Sequence, residues 1–440
     1  MGKLEKYSSY KDSGVEWLGE IPEHWETQKM KYLGKMFAGL TDKKGDDFAK
    51  EISEDKMPFI PFTNVCNNLK IDKNQMQYVK IKPYEKQNKV QKNDIIFLMS
   101  SETLDDIGKC SIHLNEEQFY LNSFCKGFRP KTFAVNAEFL NYLLQSKTYR
   151  NYFALVGRGF TRINIKQEYI NDLFTVLPPQ EEQIKIASFL DEKIAQIDEV
   201  ISQKQKLIEL LKERKQIVIN DAVTKGLDKN VEFLDSGVEW MGEIPKHWKL
   251  VPLKYILKER NERSVSGEET LFMMSQIHGL VVRADYHEKA EIAKDNIGNK
   301  KVYKNDLVFN KLKAHLGVFY KSNINETGLV SPDYAVYYSN DKIEDLKFLE
   351  ILFRHPKYIG QFISLATGIV EGLIRLYTDD LFSLKVAVPP KEEQKQIIIH
   401  CEEQVSKIDK AIELQQNYIS KLKEYKASLI DSVVTGKVRV

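Results

Sequence analysis

Two stretches of the chain place apolar residues at alternating spacings of four and three. In the first they fall at Ala187, Leu190, Ile194, Ile197 and Ile201, then at Ile208, Leu211, Val218 and Ala222. In the second they fall at Ile398, Cys401, Val405, Ile408 and Ile412, then at Ile419, Leu422, Leu429 and Val433, each 211 residues beyond its counterpart. The polar interruptions keep the same register, with Lys204 matching Gln415 and Lys215 matching Lys426. A seam of this period over about five heptads predicts a coiled coil, whereas a helix lying on its own domain's core presents a wider apolar stripe. Residues 180–222 and 391–433 contain neither Gly nor Pro, so each stretch reads as one uninterrupted helix.

The rest of the chain is doubled in the same way. The segment DSGVEWLGEIPEHW, from Asp12 to Trp25, recurs as DSGVEWMGEIPKHW from Asp235 to Trp248, and PPQEEQ at Pro178 to Gln183 recurs as PPKEEQ at Pro389 to Gln394. Between the opening segment and the Pro-Pro of each copy lies a region of mixed strand and helix character, so the expected fold class is α+β. The expected domains are a globular region at 1–177, a helix at 178–226, a second globular region at 227–388 and a second helix at 389–440. Gly226 is a natural helix stop, and only a short stretch separates it from the second globular region. That region must then lie near the end of the first helix and near the start of the second, so helices that pair within the chain pair antiparallel. At about 1.5 Å per residue each spans roughly 60 Å. The expected architecture is a rod with a globular domain at each end, related by a pseudo-two-fold axis.

Positions shared by the two copies read as scaffold, and positions that differ are candidates for recognition. Trp17, Trp25, Trp240 and Trp248, with Pro22, Pro245, His24 and His247, are shared and read as packing and turn residues. Asn93 to Phe97 (NDIIF) matches Asn305 to Phe309 (NDLVF), a turn entering a buried strand. Immediately afterwards the copies part, into LMSSETLDDIGK and NKLKAHLGVFYK. Farther on, GRGFTRINI at Gly157 to Ile165 stands where the second copy has TGIVEGLIRLY, Thr367 to Tyr377. A common strand feeding unlike polar loops is how a scaffold presents a variable reader.

Charge sets limits on what those loops meet. The 440 residues carry 65 Lys and Arg against 63 Asp and Glu, a net +2. Residues 1–177 hold 26 basic and 23 acidic side chains, and residues 227–388 hold 22 and 23. Neither region is a strong polyanion magnet. Arg158 with Arg162, and Lys311 with Lys313, nevertheless stand in stretches almost free of acids, and base reading needs only such local patches. The candidate DNA-contacting residues are Ser100, Ser101, Lys109, Arg158 and Arg162 in the first copy. In the second they are Asn310, Lys311, Lys313, His315, Arg375 and Tyr377.

No catalytic centre is evident. There is no G-x-x-x-x-G-K-[ST] phosphate loop and no Asp-Pro-Pro-Tyr or Asn-Pro-Pro-Tyr tetrapeptide, and the eight histidines lack zinc-type spacing. Asp333 followed by Asp345 and Lys347 has the order of a magnesium-dependent nuclease motif, but the first copy lacks it and so short a pattern arises readily by chance. Cys66, Cys110, Cys125 and Cys401 are far apart and form no C-x-x-C pair, which fits a reducing compartment. With no apolar signal core at the N-terminus and no long apolar run, the expected location is the cytoplasm. No catalytic, metal or cofactor site is expected in this chain.

The repeated order W-x-G-E-I-P-x-H-W, globular region, P-P-x-E-E-Q, heptad helix resembles the specificity subunit of type I restriction-modification enzymes over essentially the whole chain. NDLVFNKLKAHLG, VSPDYAVY and GLIRLY in the second copy resemble one common class of its target-recognition domains. The first copy departs from that class, with MSSETLDDIG where the second has KLKAHLG. The resemblance implies that each globular region binds one half of a bipartite, asymmetric site in the DNA major groove while the coiled coil sets the gap. It further implies docking of two modification (methyltransferase) subunits carrying S-adenosylmethionine. Restriction subunits, bringing ATP- and magnesium-dependent translocation and cleavage, are possible further partners. The residues alone leave two alternatives open, a coiled-coil scaffold without DNA specificity and a stand-alone nuclease or methylase.

Overall fold

The computed structural model describes residues 5–52, 55–276, 278–286, 296–340, 342–368 and 375–440, with the side chains of 314 and 315 excepted. The chain divides into two compact units, one of residues 1–205 with 416–440 and the other of residues 206–415. The division falls within the two long helices, Gln180–Lys225 and Lys391–Val434, each of which contributes to both units.

Within each unit the helical segments run antiparallel. In the first, Asp198 meets Lys426 at 2.7 Å, and Lys204, farther along, lies 4.6 Å from the ring centre of Tyr418, earlier in the partner helix. In the second, Lys215 meets Asp409 at 2.8 Å, and beyond it Gly226 packs near Glu393. The seam positions Leu190, Ile194, Ile197, Ile201, Ile208, Cys401, Ile408, Ile419 and Leu429 are buried, while Leu211, Val218, Val405, Ile412 and Leu422 are half-buried. The helices end a turn or less beyond the expected positions, and Gly226 and Gly436 follow them with φ of +78° and +77°. A side chain with a Cβ is strained in that left-handed conformation.

The same sheet is built twice. In the first unit a four-stranded antiparallel sheet has the order Cys110–Ile112, Ile95–Leu98, Cys125–Pro130, Gly34–Ala38. In the second the order is Phe319–Lys321, Leu307–Asn310, Tyr334–Ser339, Leu257–Glu259. The shared Asn-Asp turn enters the second strand of each. Asn93 and Asn305 adopt φ of +72° and +70°, a conformation Asn tolerates better than most residues. The Asp that follows is buried and held by an arginine, Asp94 by Arg129 and Asp306 by Arg260. Arg129 lies in the strand Cys125–Pro130 and Arg260 just after the strand Leu257–Glu259, so the turn is shared between copies while its partner comes from a different place in the sheet.

The opening and Pro-Pro motifs are two sides of one contact. In the first unit His24 Nε2 lies 2.8 Å from Glu182 Oε2, and Tyr7 donates its hydroxyl to the same carboxylate. In the second, His247 Nε2 lies 2.7 Å from Glu393 Oε2, and Trp248 Nε1 donates to Glu393 Oε1 at 3.1 Å. Tyr7 thus takes the place that Trp248 fills in the other copy, and buried Trp25 Nε1 has no hydrogen-bond partner among the described residues. The final Gln of each motif is buried and caps two backbone groups. Gln183 accepts from Asn136 N and donates to Pro178 O; Gln394 accepts from Glu344 N and donates to Pro389 O. A buried amide satisfied in this way fixes where the helix leaves the globular part.

Candidate nucleic-acid interface

After the shared strand the two copies diverge in backbone as well as sequence. In the first, Ser100–Ser101 stays extended and pairs with Ile163–Asn164, so Ser101 lies opposite Ile163 and Ser100 opposite Asn164. In the second the chain turns at once into a short 3-10 segment, Lys311–Leu316, kinked at Lys313. There Leu376 N donates to Lys311 O at 3.1 Å, joining the described parts of the two candidate loops. In each unit, segments some 60 residues apart in sequence are thereby brought together.

The first unit's loops form a recess of about 400 Å³ lined by Phe62, Ser100, Ser101, Glu102, Asn122, Phe124 and Arg162, among others. Arg162 lies over the ring of Phe124 at 4.8 Å. Phe62, Glu102, Asn122 and Phe124 were not singled out from the sequence, because they reach the recess from three separate segments and carry no local motif. A larger recess, of about 510 Å³, lies among scaffold residues at the end of the first long helix, lined by Asp221, Trp240 and Tyr358, away from these loops.

The remaining first-copy candidates differ in availability. Arg158 and Arg162 are exposed. The Arg158 guanidinium donates to Leu155 O and Gly157 O, and among the described residues neither arginine is paired with a carboxylate. Lys109 instead lies 2.6 Å from Asp106, and this hydrogen bond, with a second from Thr103, holds the Asp106 carboxyl below its ordinary range. Ser101 is buried and Ser100 half-buried. The recess is therefore lined by the Arg162 guanidinium, the hydroxyls of Ser100, Ser101 and Thr103, carboxylate and amide groups, and the rings of Phe62 and Phe124. These are the functional groups that read base edges.

In the second copy Lys313 is exposed, whereas Lys311 is half-buried with its ammonium 3.6 Å from Glu259. Asn310 is half-buried and its side chain accepts from Leu312 N. Arg375 pairs with Asp333 at 3.1 Å, and Tyr377 is exposed at the start of the helix Thr378–Ser383. The His315 side chain and residues 369–374 of the second loop lie outside the described residues. The acidic residues of the nuclease-like pattern are engaged separately, Asp333 with Arg375 and Asp345 with Lys321. Among the described residues no group of three or more His, Cys, Asp or Glu side chains is placed to hold a metal ion. No described helix is long and apolar enough to cross a membrane.

A family model described as the type I restriction modification DNA specificity domain matches residues 22–210. The chain is similar to the type I restriction enzyme EcoKI specificity subunit of Escherichia coli (strain K12), with 23% identity over 96% of this chain and 90% of the relative. Its fold is similar to a chain in a solved structure of type I R-M complex assembly and conformational transition, with a TM-score of 0.67 at 14% identity over 94% of this chain and 98% of the other. It is likewise similar to the HsdS subunit from Thermoanaerobacter tengcongensis, with a TM-score of 0.55 at 14% identity over 95% and 98% of the two chains.

Proposed function

We propose that this chain is a specificity subunit of the type I restriction-modification family, to which the family model and the relatives point, and that its two globular regions, 1–177 and 227–388, each read one half of a bipartite, asymmetric site in double-stranded DNA. As a specificity subunit it is non-catalytic, and the chemistry resides in partner subunits. The observation that carries the reading is the doubled scaffold with unlike loops. The same four-stranded sheet and the same Asn-Asp turn present an extended segment in one copy and a helical turn in the other. Unlike readers on like scaffolds specify unlike half-sites.

The helices 178–226 and 389–440 then act as the spacer, because a pair of rigid helices makes half-site separation a geometric consequence. They also offer a docking surface. Ile184, Val200, Tyr418 and Tyr425 in the first unit, and Leu207, Leu210, Ile217, Ile399 and Leu414 in the second, are exposed apolar residues outside the seam. Two modification subunits docked there would supply S-adenosylmethionine and adenine methylation, and restriction subunits, where present, ATP- and magnesium-dependent cleavage. The net charge of +2 fits this division, with partners supplying much of the phosphate contact.

The test is selection of DNA from a random duplex pool by the complex purified from the host through a tag on this chain. The expected product is one motif of two fixed half-sites separated by a fixed unread gap. A scaffold that binds only proteins would enrich no motif, and a stand-alone nuclease or methylase would act on DNA without copurifying subunits; either result overturns the reading.

A further inference from the structure

The first copy's second loop is a tight hairpin with an aromatic side chain at its tip. Arg158 and Asn164 exchange backbone hydrogen bonds, Arg158 N to Asn164 O at 3.1 Å and Asn164 N to Arg158 O at 2.8 Å. The Asn164 side chain adds a third bond, to Arg162 O, at 3.1 Å. Gly159 turns the chain with φ of +145°, and a Cβ there would stand 1.8 Å from Arg162 O, so this tight closure requires glycine. Next to it Phe160 has a relative exposure of 109%, against 45% for Phe124 in the neighbouring recess. A hairpin closed by three hydrogen bonds that holds a phenyl ring wholly in solvent is built for a contact that the isolated chain does not make.

The surroundings of the ring indicate the partner's chemistry. Residues 157–167 carry Arg158, Arg162 and Lys166 and no acid. Three scaffold arginines are neutralised, Arg129 by Asp94, Arg260 by Asp306 and Arg354 by Glu350, while Arg150 and Arg263 donate to backbone carbonyls. Those flanking Phe160 have no carboxylate partner among the described residues. An exposed aromatic ring flanked in sequence by two arginines that no described carboxylate neutralises suits a partner that combines phosphate charge with stacked apolar faces. DNA has both, and apolar side chains inserted at base steps between phosphate-contacting cations are an established way to unstack a duplex. The hairpin also continues from the strand Ile163–Asn164, which pairs with Ser100–Ser101 at the recess. A ring entering the base stack here would fix the phase of the half-site relative to the groups in that recess.

We propose that Phe160 is a wedge that enters the base stack of the half-site bound by the first globular region, an inference that rests on the DNA-reading role above. The wedge deforms the duplex at one step, and its preference for easily unstacked steps adds specificity at a position where no base edge is hydrogen-bonded. The preformed hairpin keeps the ordering cost low, because the ring is already presented.

The experiment uses the complex purified through a tag on this chain and duplexes carrying the selected motif, with 2-aminopurine substituted singly through the first half-site and its flanks. For wild type, one position other than the methylated adenine brightens on binding, reporting an unstacked base. Phe160→Ala should abolish that signal and weaken binding by about one order of magnitude, while Phe160→Trp restores both and Phe133→Ala, at another exposed ring, changes neither. Equal affinity and brightening for wild type and Phe160→Ala would overturn the wedge while leaving DNA reading intact. Loss of a copurifying subunit from Phe160→Ala, with unchanged DNA contact by the complexes that remain, would assign the ring to a protein contact and also overturn it. Wild-type complex that selects no motif would instead overturn the DNA-reading role itself.

Discussion

Lys426 Nζ lies 2.7 Å from both carboxylate oxygens of Asp198, and 211 residues away in each direction the same pair recurs as Lys215 with Asp409 at 2.8 Å. The heptad register is therefore matched on both sides of the duplication. These bridges are part-exposed, with both aspartates about half accessible, so each should contribute no more than about 1 kcal/mol. Lys426→Ala should lower stability by that much at most, and the difference should shrink as salt rises. Ile197→Ala or Ile408→Ala, at buried seam positions, should cost roughly 2–5 kcal/mol. Denaturant unfolding of the single variants checks the ranking.

Asp431 ties the second long helix to the globular part of the first unit. Its carboxylate accepts from Thr148 N at 2.9 Å and Thr148 Oγ1 at 2.8 Å, and pairs with Lys437 at 2.6 Å. Burial alone would push this carboxyl up, but the hydrogen bonds from Lys437 and Thr148 outweigh it and hold it below its ordinary value. A depressed carboxyl stabilises fully above the unfolded pKa of about 3.9 and loses that contribution as pH falls through the folded value. Asp431→Ala should therefore cost about 1–3 kcal/mol near neutral pH, and the gap to wild type should close progressively below about pH 4. Unfolding curves taken across that range check the sign.

Three of the four thiols are buried, and burial pushes Cys110 up to about 12 and Cys401 up to about 11. Burial also raises Cys66, which is only half-buried. Native protein treated with iodoacetamide at pH 8 should thus be labelled slowly and at Cys66 alone, whereas denatured protein takes up label at all four cysteines. Peptide mass mapping distinguishes the sites.

The two reader loops should fail independently. Arg158→Ala with Arg162→Ala should relax or weaken selection at the first half-site by roughly tenfold or more and leave the second unchanged. Lys311→Ala with Lys313→Ala should do the reverse, with the larger share from Lys313, because Lys311 is already drawn towards Glu259. Footprinting on a duplex carrying both half-sites reads the two effects separately.

The long helices and their pairing were legible in the sequence because a heptad seam is a local pattern, and the duplication repeated it in register. The shared motifs were legible as scaffold, but their meaning was not. His24 and Glu182 are 158 residues apart, and no local rule joins a turn histidine to a helix-start glutamate. The proposed reader loops stood out by their divergence, yet which of their side chains are tied to carboxylates was hidden. Lys311 and Arg375 look as available as Arg162 in sequence, and only the fold brings Glu259 and Asp333 beside them, whereas Asp106 stands three residues from Lys109. Phe160 carries no signal of its own in the sequence, because nothing in GRGFTRINI says whether the ring packs or stands in solvent, and only the structure shows it fully exposed.

The central claim, that two reading regions choose the half-sites while the paired helices set their separation, is tested most directly by mapping methylated adenines across the host genome. Two strains are compared, one with the chain as it stands and one with a heptad inserted after Gln205 and another after Gln415. Seven helical residues add about 10.5 Å, or roughly three base pairs at 3.4 Å each. The predicted result is the same two half-sites with a gap about three base pairs longer. An unchanged gap beside intact methylation, or altered half-sites, would contradict the account.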